Sequence, residues 1–351
     1  MPSKDRLITF NQAIREGLVG TMHKYPEVFV MGLGATDPKG VFETTAGLEE
    51  MFGPKRIFDA PVSENALTGI AVGAAISGMR PVMVHQRADF VLMAMDQIVN
   101  NAAKWHYMYG GKQKVPLTIR MFVGRGWGQG PQHSQNFQAL FAHIPGLKVV
   151  CPATPYEAKG LLIASIEDDN PVIFIEHRWL SNQLGNVPED YYSLPIGKAQ
   201  VMREGRDVTV VASMDMVPES LHVANKLDGI GVSAEVLNLS SIKPLDGDSI
   251  LSSVKKTERL LILDSSWRSF GVGAEIAALV VERGIKAKVR RLGLPDSPTP
   301  TSIGLSKYYY INEMNICRAI EELLGRSLDT EGLGLRDFVN DVPDEYFKGP
   351  F

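Results

Sequence analysis

Asp59-Ala-Pro-Val-Ser-Glu64-Asn-Ala-Leu-Thr-Gly-Ile-Ala-Val-Gly-Ala-Ala75, followed shortly by Pro81-Val-Met-Val84, decides the fold. A helix of small apolar residues opens at Ser63 and Glu64 and delivers the chain into a β-branched run, which is one unit of an α/β winding. The unit repeats in both directions. Strand-like runs cover Val28 to Met31, Val115 to Val123, Leu147 to Cys151 and Val172 to Ile175, and helices are predicted over Asn11 to Lys24, Glu64 to Ser77, Asp96 to Tyr109 and Tyr156 to Asp168. Together they predict a largely parallel sheet wrapped in helices over residues 1–180. Residues 181–206 are polar, contain Pro188, Pro195 and Gly197, lack sustained periodicity and read as a linker. A second, smaller α/β domain follows over 207–325. Its runs Val208 to Ala212, Val232 to Leu239, Arg259 to Leu263 and Ala287 to Leu292 alternate with helices near Pro218 to Leu227, Asp246 to Lys256, Gly273 to Arg283 and Ile311 to Leu324. The acidic stretch 326–351 reads as an extension. The fold class expected is therefore α/β, with two doubly wound domains.

Composition narrows the function. The 351 residues carry a net charge of −4, which offers no basic footprint for a nucleic acid. No apolar run reaches the roughly 18 residues of a membrane span, and the polar N-terminus has no signal-peptide core, so the expected location is the cytoplasm. The two cysteines, Cys151 and Cys317, have no metal-ligand spacing and read as buried and reduced.

Two segments can carry chemistry. Glu64 at the head of its helix either complements the helix dipole or stands where a carboxylate can exchange a proton at a subunit contact. Gly69, Gly73 and Ser77 form a stripe on that helix where a second helix can approach. The second segment is Val123-Gly-Arg-Gly-Trp-Gly-Gln-Gly-Pro-Gln-His133-Ser-Gln. Its glycines, at 124, 126, 128 and 130, do not match the dinucleotide fingerprint, but they let a backbone pass close to a ligand or another chain. His133, just beyond them, is either structural or an acid, base or hydrogen-bond donor. Neither a nucleophile elbow, a phosphate loop nor an HExxH pair is present, which argues against a serine hydrolase or a metalloenzyme.

Together these segments resemble the β subunit of the thiamine-diphosphate-dependent first component of 2-oxoacid dehydrogenase complexes, of the pyruvate, branched-chain and acetoin type. The resemblance runs from about Leu7 to Leu324. It includes Phe52-Gly-Pro-Lys-Arg-Ile-Phe-Asp-Ala-Pro-Val-Ser-Glu64, Asp96-Gln-Ile-Val-Asn-Asn-Ala-Ala-Lys104, Gln132-His-Ser-Gln135, His143-Ile-Pro-Gly-Leu-Lys-Val-Val150 and Phe270-Gly-Val-Gly-Ala-Glu-Ile276. It implies a pyrimidine-binding domain followed by a transketolase C-terminal-like domain. It also implies that Glu64 hydrogen-bonds the cofactor aminopyrimidine and so activates the thiazolium carbon, that Phe90 stacks on the same ring, and that His133 lies in the active-site channel. A potassium ion is implied at Leu117, Ser165, Ile166, Asp168 and Asn170, where the alternative is a solvated Asp-Asp-Asn turn. The family's diphosphate motif, Gly-Asp-Gly with an Asn about 25 to 30 residues later, holds Mg²⁺ through oxygen ligands. This chain lacks it: Asp246-Gly-Asp248 has no suitable Asn after it. The resemblance therefore implies an α-type partner that holds Mg²⁺ and the diphosphate, in an α₂β₂ heterotetramer, with a lipoyl acyltransferase as a further partner.

The chain departs from that pattern near the implied channel. Gly32-Leu33-Gly34 lacks the acidic residues usual there, and Arg87, Arg125 and Trp127 add cationic and polar groups. Such groups either suit a phosphorylated or polyhydroxylated substrate or form structural ion pairs. Three functions stay open: acyl transfer from a 2-oxo acid to a lipoyl carrier, a split transketolase-like carboligase, and a non-catalytic scaffold.

Overall fold

The structure is a computed structural model that describes residues 6–125, 128–336, 342–343, 347 and 349. Its strands are β1 (Leu7–Thr9), β2 (Val28–Gly32), β3 (Ile57–Asp59), β4 (Arg80–His85), β5 (Thr118–Val123), β6 (Lys148–Val150), β7 (Val172–His177), β8 (Leu184–Asn186), β9 (Gln200–Arg203), β10 (Val208–Ala212), β11 (Ala234–Asn238), β12 (Ser241–Lys243), β13 (Arg259–Trp267) and β14 (Lys288–Leu294). Among the described residues these form a seven-stranded sheet in the order β12-β6-β7-β5-β4-β2-β3, a five-stranded sheet in the order β14-β13-β10-β11-β9, and a small pair β1-β8. Every pairing in the large sheet is parallel except that of β12 with β6, and in the five-stranded sheet only β9 runs antiparallel. Parallel strands need both faces covered, which is why β2, β5 and β7 are buried along their whole length.

Local sequence explains the helices that cover them. Thr9 caps helix Phe10–Lys24 in a reciprocal box with Gln12, and Thr154 does the same for helix Pro155–Glu167 with Glu157, whose Pro155 presets the first turn. The two helices pack closely because Gly17 leaves room: a Cβ there would lie 3.3 Å from Leu162.

The expected linker is not featureless. Within 181–206, β8 pairs with the N-terminal β1, and β9 closes one edge of the second sheet against β11. Both strands are short and polar, with half or more of their positions facing solvent, so they carry no apolar alternation. The second domain also reaches into the first: β12 leaves it to pair with β6, and one apolar core runs from Val30 and Ile173 through to Leu237 and Ile262.

In the large sheet, Arg120 of β5 makes a two-pronged ion pair with Glu176 of β7, at 2.7 and 2.8 Å, with both side chains almost fully buried. Burial pushes the Glu176 carboxyl up, and the Arg120 charge acts against that. The same guanidinium reaches Thr44 Oγ1 at 3.1 Å, just after Phe42 and Glu43, two non-glycine residues in the left-handed region at φ 48° and 67°. The pair thus anchors a strained turn that carries Phe42 toward the candidate site. Removing one partner leaves an uncompensated buried charge. Arg120→Met is expected to destabilise the chain by about 3–5 kcal/mol, read as a lower urea midpoint.

Candidate active site

The loops that follow β2, β3, β4 and β5 leave the sheet at the carboxyl ends of parallel strands, the edge where open α/β sheets bind ligands. Glu64 stands on the loop after β3, as the first residue of helix Glu64–Ile76. Ser63 takes the N-cap position but makes no side-chain cap hydrogen bond. The Glu64 carboxylate is half-buried and has no hydrogen-bonding partner among the described residues. Asn65 Nδ2 donates to the Met93 carbonyl at 3.3 Å and ties the head of this helix to the turn just beyond Phe90. On the predicted stripe, Gly69 is met by Gln97, 3.3 Å from where a Cβ would be, whereas the space over Gly73 is open.

Phe90 and His133 meet directly. Their rings lie 5.4 Å apart, edge to face at 87°. Gln135 Nε2 donates to Asp89 Oδ1 at 2.6 Å and fastens the segment after His133 to the residue before Phe90. Burial pushes the Asp89 carboxyl up, partly opposed by that amide.

The two channel arginines are enclosed. Arg87 donates to the Gln86 carbonyl at 2.9 Å and to Gln129 Oε1 at 3.3 Å, with its guanidinium 5.2 Å from the Phe42 ring. Arg125 is 6% exposed and lies between the rings of Trp179 and Tyr310, at 3.8 and 4.1 Å. Those rings come from different domains, so Arg125 bridges the two. Trp127 falls outside the described residues.

Beside Arg125 is a polar cluster that the sequence did not single out. His177 Nε2 lies 3.5 Å from Asp215 Oδ2, and both side chains are buried. Burial keeps His177 well below its ordinary range, helped by Arg178 and Arg125. Burial also pushes Asp215 up to about 7, which outweighs the pull of Arg125. A Cβ on Gly124 (φ +93°) would overlap the His177 ring, so the start of the glycine loop is fitted to this cluster. Asp215 follows β10 and His177 ends β7; only the fold brings them together, and no sequence spacing could have shown it.

The residues implied for potassium gather at the foot of β5 and the end of helix Pro155–Glu167. Thr118 Oγ1 donates to the Ser165 carbonyl at 3.0 Å, Arg80 donates to the carbonyls of Ile166 and Asp168 at 2.9 and 3.1 Å, and Lys148 pairs with the Asp168 carboxylate. The Leu117 carbonyl accepts from Val172 N at 2.9 Å. Asn170 Oδ1 is buried without a partner among the described residues, an oxygen that a cation would satisfy. Asp246 proves to be a helix cap, accepting from Ser249 N at 3.2 Å.

Fold and site define a two-domain chain of the transketolase class. The family described as transketolase, pyrimidine binding domain matches residues 6–183, and that described as transketolase, C-terminal domain matches residues 197–316. The chain is 40% identical to the pyruvate dehydrogenase E1 component subunit beta of Rickettsia felis, covering 90% of this chain and 98% of the relative. It is 41% identical to the acetoin:2,6-dichlorophenolindophenol oxidoreductase subunit beta of Bacillus subtilis, covering 91% and 98%. Identity with the 2-oxoisovalerate dehydrogenase subunit beta of the same organism is 38%, covering 90% and 98%. A solved structure described as a split gene transketolase, inactive beta4 tetramer, shares the fold at a TM-score of 0.76 and 22% identity, covering 91% of this chain and 99% of that one. The chain belongs to the family of β subunits of the 2-oxoacid dehydrogenase E1 component.

The buried Asp215 gives a pH signature. Its folded pKa lies above its unfolded one, so its contribution to stability is full below about pH 4 and is lost as pH rises through about 7. Asp215→Asn removes that loss. The variant is expected to melt about 3 °C or more above the parent at pH 8.5 and close to it at pH 4, by differential scanning fluorimetry.

Proposed function

We propose that this chain is the cofactor-activating half of a thiamine-diphosphate enzyme that decarboxylates a 2-oxo acid, completed by an α-type subunit in an α₂β₂ heterotetramer. The observation that carries the reading is the Glu64 carboxylate, half-buried at a helix start with no partner among the described residues, on the same sheet edge as the Phe90–His133 pair. These residues fit the cofactor's aminopyrimidine: a carboxylate to share a proton with a ring nitrogen, and an aromatic face for the ring. When bound, thiamine diphosphate supplies a nucleophilic carbon and an electron sink for decarboxylation. Glu64 holds the proton at the pyrimidine nitrogen, Phe90 orients the ring, and His133 stands on the substrate side as a proton donor or acceptor. Mg²⁺ and the diphosphate fall to the partner, since this chain has no Gly-Asp-Gly motif. A lipoyl acyltransferase as acyl acceptor and a cytoplasmic location belong to the same proposal, the latter supported by the two buried free cysteines.

With the α partner reconstituted, Glu64→Gln is expected to lower kcat for 2-oxo-acid-dependent reduction of an artificial electron acceptor by about 10²–10⁴-fold, with the heterotetramer intact. A fully active Glu64→Gln enzyme would sink the assignment. Failure of the parent with every 2-oxo acid, together with ketol formation from sugar phosphates, would assign it instead as a split carboligase.

Potassium is proposed at Asn170 and the carbonyls around it, supported by the unpartnered Asn170 oxygen and by the second lone pair that each carbonyl retains. Exchanging potassium for choline is expected to lower the melting temperature by about 2–4 °C, an effect that Asn170→Ala should abolish. Equal melting in potassium, sodium and choline would show that Arg80 and Lys148 alone serve this site.

A further inference from the structure

The glycine loop that presents His133 is closed by a side chain outside it. Arg178, the residue after β7, is fully buried, and its Nη2 donates to two backbone carbonyls, those of Gly124 and His133, the latter at 3.2 Å. One carbonyl stands where the loop leaves β5 and the other belongs to the candidate catalytic residue itself. A buried guanidinium must be matched by acceptors, and here one cation pins both ends of the loop.

A second set of bonds registers that loop against the other domain. Gly124 N donates to Asn136 Oδ1 at 2.8 Å, Asn136 Nδ2 donates to the Ser265 carbonyl at 2.7 Å, and Ser266 Oγ donates to the Asn136 carbonyl at 2.9 Å. Gln138 Nε2 donates to Asp264 Oδ1 at 2.7 Å, and the same carboxylate accepts from Ser266 N and Val272 N at 3.0 and 3.1 Å. Residues 264–266 all belong to β13, so the end of a second-domain strand sets where Gly124, Asn136 and Gln138 of the first domain lie.

We propose that Arg178 is a positioning residue for His133, bridging the two carbonyls that close its loop, with Asn136 and Ser266 fixing that bridge to the second domain. The inference rests on the reading of His133 as an active-site residue. Fully buried, Arg178 acts by holding the histidine at a fixed place against Phe90. Both bonds leave one terminal nitrogen at the tip of a planar, rigid guanidinium, whereas a lysine keeps the charge but its ammonium ends short of that nitrogen and has no plane to aim it. Arg178→Lys therefore isolates positioning from charge.

The test uses the reconstituted holoenzyme with four versions of this chain: parent, Arg178→Lys, His133→Ala, and both together. Arg178→Lys is expected to lower kcat about 10-fold or more, since a misplacement of about 1 Å can cost 10²-fold, with KM changed less than about 2-fold. Exchange of the bound cofactor's reactive C–H proton, which reports on Glu64, is expected to be unchanged. In the His133→Ala background the Arg178→Lys loss should vanish. Should Arg178→Lys fail to assemble with its partner, Ser266→Ala carries the same cycle, with an expected loss of about 3-fold, also absent without His133. Losses that multiply in the double variant would overturn the positioning role while leaving the proposed function standing. A fully active His133→Ala enzyme would overturn the role of His133 and the inference with it.

Discussion

The constraint on which the site depends is strand direction. Because β2, β3, β4 and β5 run parallel, the chain must leave each of them at the same edge of the sheet. The turns that start at Leu33, Ala60, Gln86 and Gly124 are gathered there whatever their sequence separation. The turns that carry Glu64, Phe90 and His133 therefore leave the sheet at one edge, and there Phe90 and His133 meet. The side chains then refine the placement: Asn65 to Met93, Gln135 to Asp89, and Arg87 to Gln129 are each single hydrogen bonds between two of these turns or their helices.

Charge within this framework is used in two distinct ways. Arg120, Arg125 and Arg178 are all sequestered, and each is matched differently: by a carboxylate, by two aromatic faces, and by backbone carbonyls. None of the three is spent on solvent. Glu64, by contrast, is a carboxylate that meets no cation among the described residues, and that asymmetry sets it apart from the residues that hold the scaffold. Arg87 and Arg125, which their place near the implied channel left open as substrate-facing residues or structural ion pairs, are both enclosed.

Much of the architecture was legible because it depends on periodicity. The runs at Val28, Pro81 and Val172, and the helix from Glu64, lie where apolar spacing predicts them, since parallel strands buried on both faces need continuous apolar residues. The strands β3, β8 and β9 were not legible. Each is short, and β8 and β9 are largely solvent-facing edges, so their place is set by a neighbour's backbone and not by their own pattern. The same holds for the site. Glu64 and His133 could be singled out because they sit in recognisable motifs, and Phe90 by its spacing after Glu64 in the family the chain resembles. Arg178, Asn136 and the His177–Asp215 pair act through contacts between residues far apart in the sequence or through main-chain atoms, which leave no local signature.

The excursion of β12 has a consequence for what counts as a unit of this protein. A three-residue strand from the C-terminal half completes the sheet of the N-terminal half, so the boundary in sequence is not a boundary in hydrogen bonding. A fragment ending at residue 206 would hold the pyrimidine-side loops yet leave the backbone of β6 unpaired along an apolar edge, inviting strand-to-strand association with its own copies. The halves are therefore obliged to be inherited and to fold together, and a shuffled gene that joined this N-terminal half to a foreign partner would have to supply a strand to that edge as well as a second domain.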